Sequence, residues 1–220
     1  MNTLKYFLYD WAGYNKIISQ YIYSNIASKP LIIFFRSITQ MGNVYFFPLH
    51  LALLLLAFFI MLRRNDKNAI QQGISYARCL SLLFLNILVA VIIIETMKRV
   101  FQHLRPYCIL DFNMKKYLLY LISYPQKSCH SSFPSGHTAY VCVFIISFWQ
   151  ILNRGLKAIG VFLIMFVGIS RVILGKHFIA DITYSYLIVL LIINPLNNLL
   201  VIKYFPKYQF SVKKFLEKIF

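Results

Sequence analysis

Three long apolar runs, bounded by basic or polar residues, set the pattern of the chain: NVYFFPLHLALLLLAFFIML (43–62), YARCLSLLFLNILVAVIIIETMK (76–98) and HFIADITYSYLIVLLIINPLNNLLVI (177–202). At about 1.5 Å of rise per residue, a helix over each run covers the roughly 30 Å of a bilayer's hydrocarbon core. Two shorter runs, HTAYVCVFIISFWQIL (137–152) and LKAIGVFLIMFVGISRVIL (156–174), are separated only by Asn153, Arg154 and Gly155, which predicts a tight helical hairpin. A sixth stretch, YNKIISQYIYSNIASKPLIIFFRSI (14–38), is interrupted by Lys29, Pro30 and Arg36. It either spans imperfectly or lies partly in the interface. The expectation is an all-α fold, a six-transmembrane-helix bundle. Without an internal repeat, a low-complexity tract or a long Gly/Ser linker, residues 1–220 read as one integral-membrane domain.

Composition agrees: 60% of the residues are hydrophobic and only 13% are charged. The first residues, MNTLKYFLYDWAGY, do not form a basic leader, apolar run and small-residue cleavage site, so insertion is expected through the helices themselves. Twenty-three Lys and Arg against six Asp and Glu give a formal charge of +17. Taken alone, that excess suggests nucleic acid. Much of it falls in short segments between apolar runs, where it anchors a bundle to anionic membrane lipids, so no nucleic-acid partner is expected. RRNDK (63–67), Arg154 and Lys157, and a tail with Lys203, Lys207, Lys213, Lys214 and Lys218 fall on one side, which the positive-inside rule assigns to the cytoplasm. Lys115, Lys116 and Lys127 on the other side count against that assignment.

Polar residues gather at the opposite, non-cytoplasmic helix ends. KRVFQHLRPYC (98–108) puts Lys98 and Arg105 seven residues apart, two turns if the helix persists, so both reach one pocket; Pro106 marks the turn away. In SCHSSFPSGHTAY (128–140), Pro134-Ser135-Gly136-His137 opens an apolar helix. Ser135 either caps that helix or bonds a ligand, and an unhindered glycine at a helix N-terminus suits an anion. In SRVILGKHFIAD (170–181), His177 and Asp181 are four apart at the start of the last span, hence on one helix face. The carboxylate can hold one imidazole nitrogen and leave the other as nucleophile or base. Asp181 beside an apolar run requires a partner. Arg171 ends the preceding span and supplies a planar donor fork suited to phosphate oxygens.

Two histidines, one orienting carboxylate, three cations, a hydroxyl and a helix N-terminus on one membrane face suit phosphoryl transfer. One histidine attacks, the other protonates the leaving oxygen, and the cations stabilise the equatorial oxygens. A zinc site needs three or four His, Cys or carboxylate ligands, and Lys98, Arg105 and Arg171 would repel the ion. No metal and no cofactor is therefore expected, and turnover is expected to be metal-independent.

The motifs KRVFQHLRP (98–106), PSGH (134–137) and SRVILGKHFIAD (170–181) together resemble the three-part signature of the type 2 phosphatidic acid phosphatase superfamily, with every signature position filled across a motif-bearing core of 98–181. The resemblance implies a membrane histidine phosphatase of the bacterial lipid phosphatase branch. It implies His177 as nucleophile forming a phosphohistidine, Asp181 as its orienting partner and His137 as the acid. Lys98, Arg105, Ser135, Gly136 through its amide, and Arg171 are implied as the phosphate cradle. The implied substrate is a lipid phosphate or diphosphate, with undecaprenyl diphosphate or a lipid A phosphate expected first. Lys176, before the nucleophile, either favours a multiply phosphorylated head group or turns toward surface lipid. The implied location is the bacterial inner membrane, with the site facing the periplasm or exterior.

Other residues carry plainer expectations. Cys108 and Cys129 form either a disulfide clamp between the two outer motifs or two separate thiols. Glu95 is expected to pair with a nearby base, and His50, beside Pro48, to be packed or hydrogen-bonded. His103 and His130 are candidates for head-group contact. A phosphotransferase with the same intermediate, a non-catalytic lipid-phosphate binder and a transporter remain open; a transporter would place more polar groups near the midplane than these spans offer. Nothing in the letters sets the oligomeric state.

Overall fold

The computed structural model describes residues 7–62, 69–109 and 129–219, and all regular structure among them is helical. RRNDK (63–67) and Lys115, Lys116 and Lys127 lie outside the described residues. After a short turn, Trp11–Gly13, come helix α1 (Tyr14–Tyr21) with a wide π turn (Ile22–Ile26), then α2 (Lys29–Gln40), a 3-10 turn (Val44–Phe46) and α3 (Phe47–Leu62). The long α4 (Ala69–Phe101) is followed by a single turn, α5 (Pro106–Ile109), then α6 (Gly136–Ser147) and α7 (Arg154–Ile173). Last come α8 (Ile179–Ile188), a π turn (Val189–Ile193) and α9 (Asn194–Ile219).

Among the described residues, three helical segments are long and apolar enough to cross a membrane: Ile70–Ile109, Arg154–Ile173 and Ile179–Phe210. Phe47–Ile60 and Gly136–Ser147 are shorter apolar helices. The run 14–38 does not form a single span. Ala27 and Ser28 adopt extended backbone between α1 and α2. Pro30, at the start of α2, disfavours helix just before it and brings no N–H of its own, so the chain restarts rather than continues. The expected hairpin forms between α6 and α7, although α6 ends at Ser147, earlier than the apolar run. Asn153 caps α7, its Oδ1 accepting from the Leu156 N–H at 2.9 Å. Further on, Pro195 cannot supply the next helical N–H, and the π turn before it absorbs the missing bond.

The core lies where α4 crosses α6 and the α8–α9 rod, packing Leu83, Ala90 and Ile94 against Ala139, Val143 and Ile193. The small side chains Ala90 and Ala139 bring the backbones close, as membrane helices require when packing rather than water drives association. A buried amide network reinforces the same crossing. Asn86 donates to the Ser147 hydroxyl at 2.9 Å, and Asn197 donates to the Asn86 Oδ1 at 3.0 Å. With α4, α6 and the α8–α9 rod fixed in this way, their ends on one side of the bundle meet at one site.

Candidate active site

The connection between α7 and α8 sets the position of His177. Gly175 stands at φ +63°, a backbone conformation that a side chain would strain, and its N–H reaches the Val172 carbonyl at 2.8 Å. The Lys176 and His177 N–H groups close on the Arg171 carbonyl at 2.9 and 3.2 Å. This turn ends α7 and delivers His177 just ahead of α8. His177 and Asp181 therefore do not share a helix face, as their spacing suggested. They meet because Asp181 turns back over the helix start, accepting from the Phe178 N–H at 2.9 Å, with the His177 Nδ1 3.4 Å from Asp181 Oδ2.

Asp181 is fully buried and richly bonded. Besides Phe178, its Oδ2 accepts from the Ser132 hydroxyl at 2.5 Å, while Oδ1 accepts from the Tyr9 hydroxyl at 2.5 Å. Three neutral donors meet the cost of burying this polar group, and His177 supplies the partner expected from the sequence. His177 is 3% exposed. Its burial, then the charges of Arg171, Arg105 and Lys98, hold its pKa well below the usual imidazole range, against an opposing pull from the Ser132 backbone. Burial therefore favours a neutral ring, with its Nδ1 side facing Asp181.

The three cations arrive by separate routes. Lys98 occupies the last turn of α4, where its Nζ pairs with Glu95 at 2.7 Å, as expected for that carboxylate. The helix does not persist to Arg105: it ends at Phe101, and Gln102 at φ +43° turns the chain. Arg105 instead joins the segment ahead of α6, its N–H donating to the Cys129 carbonyl at 2.8 Å and its Nε to the His130 carbonyl at 3.5 Å. Cys108 and Cys129 are bonded in a disulfide that ties the same two segments. Arg171 is 6% exposed, and its Nη1 donates to the Thr39 hydroxyl on α2 at 2.9 Å. All three cations lie near enough to act on both His137 and His177.

The Pro-Ser-Gly-His turn completes the arrangement. The Ser135 hydroxyl does not cap α6. It is buried and accepts from Thr138 Oγ1 at 3.0 Å, while the Ser135 N–H donates to Ser185 Oγ at 2.8 Å and fastens α6 to α8. A Cβ on Gly136 would stand 3.5 Å from Lys98 Nζ, so the bare glycine leaves its helix-start amide open beside that cation. His137 follows in the first turn of α6, backed by Gly42, where a Cβ would press 2.8 Å from the His137 carbonyl and 3.0 Å from Val167. A cavity of about 250 Å³ opens from Lys98, Gly136 and His137 and runs down an apolar wall that includes Ile87, Val91 and Val143. His50 Nδ1 is hydrogen-bonded at 3.0 Å to the hydroxyl of Tyr140, another residue of that wall.

Lys98, Arg105, Gly136, His137, Arg171, His177 and Asp181 are thus brought to one place. Sequence reasoning missed Tyr9, Thr39, Gly42 and Ser132. Ser132 stands inside the polar stretch that drew attention to His137, and its density of hydroxyls was the one available signal. The other three lie in a region without a motif. Among the described residues, no group of three or more His, Cys, Asp or Glu is placed to hold a metal ion.

Fold and site together define a class: a helical integral membrane protein with a buried histidine–aspartate pair, three nearby cations and an apolar cavity that opens beside Lys98 and His137. The PAP2 superfamily model matches residues 79–205, more than half of the chain, and the protein belongs to that superfamily. It is a membrane phosphatase. Its fold is similar to the crystal structure of LpxE from Aquifex aeolicus, with a TM-score of 0.57 and 22% identity over 84% of this chain and 93% of that one. It is also similar to a PAP2-type phosphatidylglycerolphosphate phosphatase from Bacillus subtilis, with a TM-score of 0.63 and 20% identity over 88% of this chain and 87% of that one. No curated protein sequence matches the chain.

Proposed function

We propose that this protein removes a phosphate from a lipid head group through a phosphohistidine on His177, without a metal, at the non-cytoplasmic face of a six-span bundle. The observation that carries the reading is the junction of two environments. A cavity holds Lys98, Gly136 and His137 at its polar end and has an apolar wall, and Arg105, Arg171 and His177 lie close enough to His137 to act on it electrostatically. A lipid phosphate has the same division between charged head and hydrocarbon chain. The Lys-rich end of α9, with Lys203, Lys207, Lys213 and Lys214, supports a cytoplasmic location for the opposite face.

In this mechanism the His177 nitrogen not facing Asp181 attacks phosphorus. The bond to the leaving oxygen breaks with its electron pair on that oxygen, which takes a proton from His137. Lys98, Arg105, Arg171 and the Gly136 amide stabilise the equatorial oxygens. The charge of the bound phosphate offsets those cations around His137 and lets its ring carry the proton. Neutral His137 then accepts a proton from water as the water oxygen attacks phosphorus. The phosphorus–nitrogen bond breaks, its pair returns to His177, and inorganic phosphate leaves.

The test is phosphate release by the detergent-purified protein in EDTA, on undecaprenyl diphosphate, lipid A and phosphatidylglycerophosphate side by side, with His177→Ala as control. Release from one lipid that disappears in His177→Ala is expected, and it names the substrate. Release undiminished in His177→Ala overturns the nucleophile, and release that requires added Mg²⁺ overturns metal independence. No release from any lipid by folded protein favours a phosphotransferase or a binding protein.

A further inference from the structure

We infer that Tyr9, on the N-terminal segment and far from every motif, is a positioning residue for the reaction: its hydroxyl sets the rotation of the Asp181 carboxylate that orients His177. The inference rests on His177 acting as the nucleophile. The two carboxylate oxygens have different tasks. Oδ2 is committed to the Phe178 N–H at 2.9 Å, the Ser132 hydroxyl at 2.5 Å and the His177 Nδ1 at 3.4 Å. Oδ1 receives the Tyr9 hydroxyl at 2.5 Å, across 172 residues of sequence. The terminal torsion of an aspartate is soft, so anchoring one oxygen leaves the carboxylate free to swing. Tyr9 supplies the second anchor.

The rest of the segment is bonded to α8 independently of that hydroxyl. Asn15, 1% exposed, accepts from the Ala180 N–H at 3.1 Å, and the Tyr184 hydroxyl donates to the Leu8 carbonyl at 2.5 Å. The Tyr9 ring lies 4.1 Å from the His103 ring and 5.4 Å from the Phe133 ring, both edge-on. The segment is therefore fastened to the start of α8 on either side of Tyr9 by bonds that do not touch Asp181. Burial and the adjacent Asp181 carboxylate raise the Tyr9 pKa well above the usual phenol range, so the group stays a donor at every working pH. Outer donors of this kind tune the ligand or catalyst that they hold.

The experiment is a double-mutant cycle between Tyr9→Phe and Asp181→Asn, with His177→Ala and Tyr184→Phe alongside. Phosphate release from the lipid that wild type turns over gives kcat and KM. Single turnovers with enzyme in excess keep slow variants readable, and thermal unfolding in detergent confirms that each variant is folded. Tyr9→Phe keeps the ring and loses only the hydroxyl. It is expected to lower kcat about tenfold with KM within about twofold, the scale of one lost hydrogen bond to a charged group. In the Asp181→Asn background it is expected to have no further effect. Tyr184→Phe, which loosens the segment without removing that bond, is expected to leave kcat within about twofold. A wild-type kcat in Tyr9→Phe, an equal loss in both Asp181 backgrounds, or a matching loss in Tyr184→Phe overturns the inference. An active His177→Ala overturns the underlying nucleophile instead, so the two failures are told apart.

Discussion

Gly42→Ala isolates how tightly the site's outer wall is set. The residue carries no chemistry and sits in the turn after α2, outside the matched family region. Its new methyl would stand 2.8 Å from the His137 carbonyl oxygen, 3.0 Å from Val167 Cγ1 and 3.1 Å from His137 Cβ. Ordinary contact begins near 3.4 Å, so the His137 backbone must retreat by about 0.6 Å, the difference between 3.4 and 2.8. Val167 is fully buried and blocks the methyl on its other side. The start of α6 is the element left to yield. Displacing a catalytic group by about 1 Å can cost on the order of a hundredfold in rate, so a loss near tenfold in kcat is expected from about 0.6 Å. Overpacking also costs about 1–3 kcal/mol, seen as a melting temperature lower by several degrees. Steady-state phosphate release and thermal unfolding in detergent read both effects. KM should change little, because the cations stay where they are. A kcat within about twofold of wild type would refute the claim that this glycine sets the position of His137.

Two further outcomes follow from the same geometry. Burial and three nearby cations depress the His177 pKa in the folded protein, so below the unfolded value near 6.5 the unfolded chain binds more protons and stability falls as pH is lowered. Melting temperature measured across pH 5 to 8 should drop on the acid side of about 6.5, and His177→Gln should remove part of that drop; an unchanged profile in the variant counts against it. Thr39→Val removes the hydroxyl that receives Arg171 Nη1 at 2.9 Å, so the guanidinium loses that anchor. KM for the lipid phosphate should rise about three- to tenfold with a smaller change in kcat, and kinetics identical to wild type would mean that other contacts suffice to aim Arg171.

Much of this protein was legible in its letters because apolar surroundings make polar residues conspicuous. Long uninterrupted apolar runs had to become helices, since a backbone in hydrocarbon must bond to itself. A lysine, arginines, histidines and an aspartate at the ends of such runs are costly without a purpose, which is why Lys98, Arg105, His137, Arg171, His177 and Asp181 stood out. Local spacing was a weaker guide. It put His177 on the face of α8 and brought Arg105 beside Lys98 only if the helix persisted, while the chain had already turned at Gln102 and had not yet entered the helix at His177.

Which distant residues hold the conspicuous ones in place emerges from the fold alone. Tyr9 meets Asp181 across 172 residues, Thr39 meets Arg171 across 132, and Ser132 meets Asp181 across 49. A tyrosine, a threonine and a serine are ordinary anywhere, and a glycine such as Gly42 marks a close approach only once its neighbour is known. The letters alone mark a helical membrane protein and the identity of its chemical groups, because burial cost is a property of each residue. Their supports depend on how α1, α2 and α6 fold back on α7 and α8, and pairings of that range leave no periodic trace along a chain.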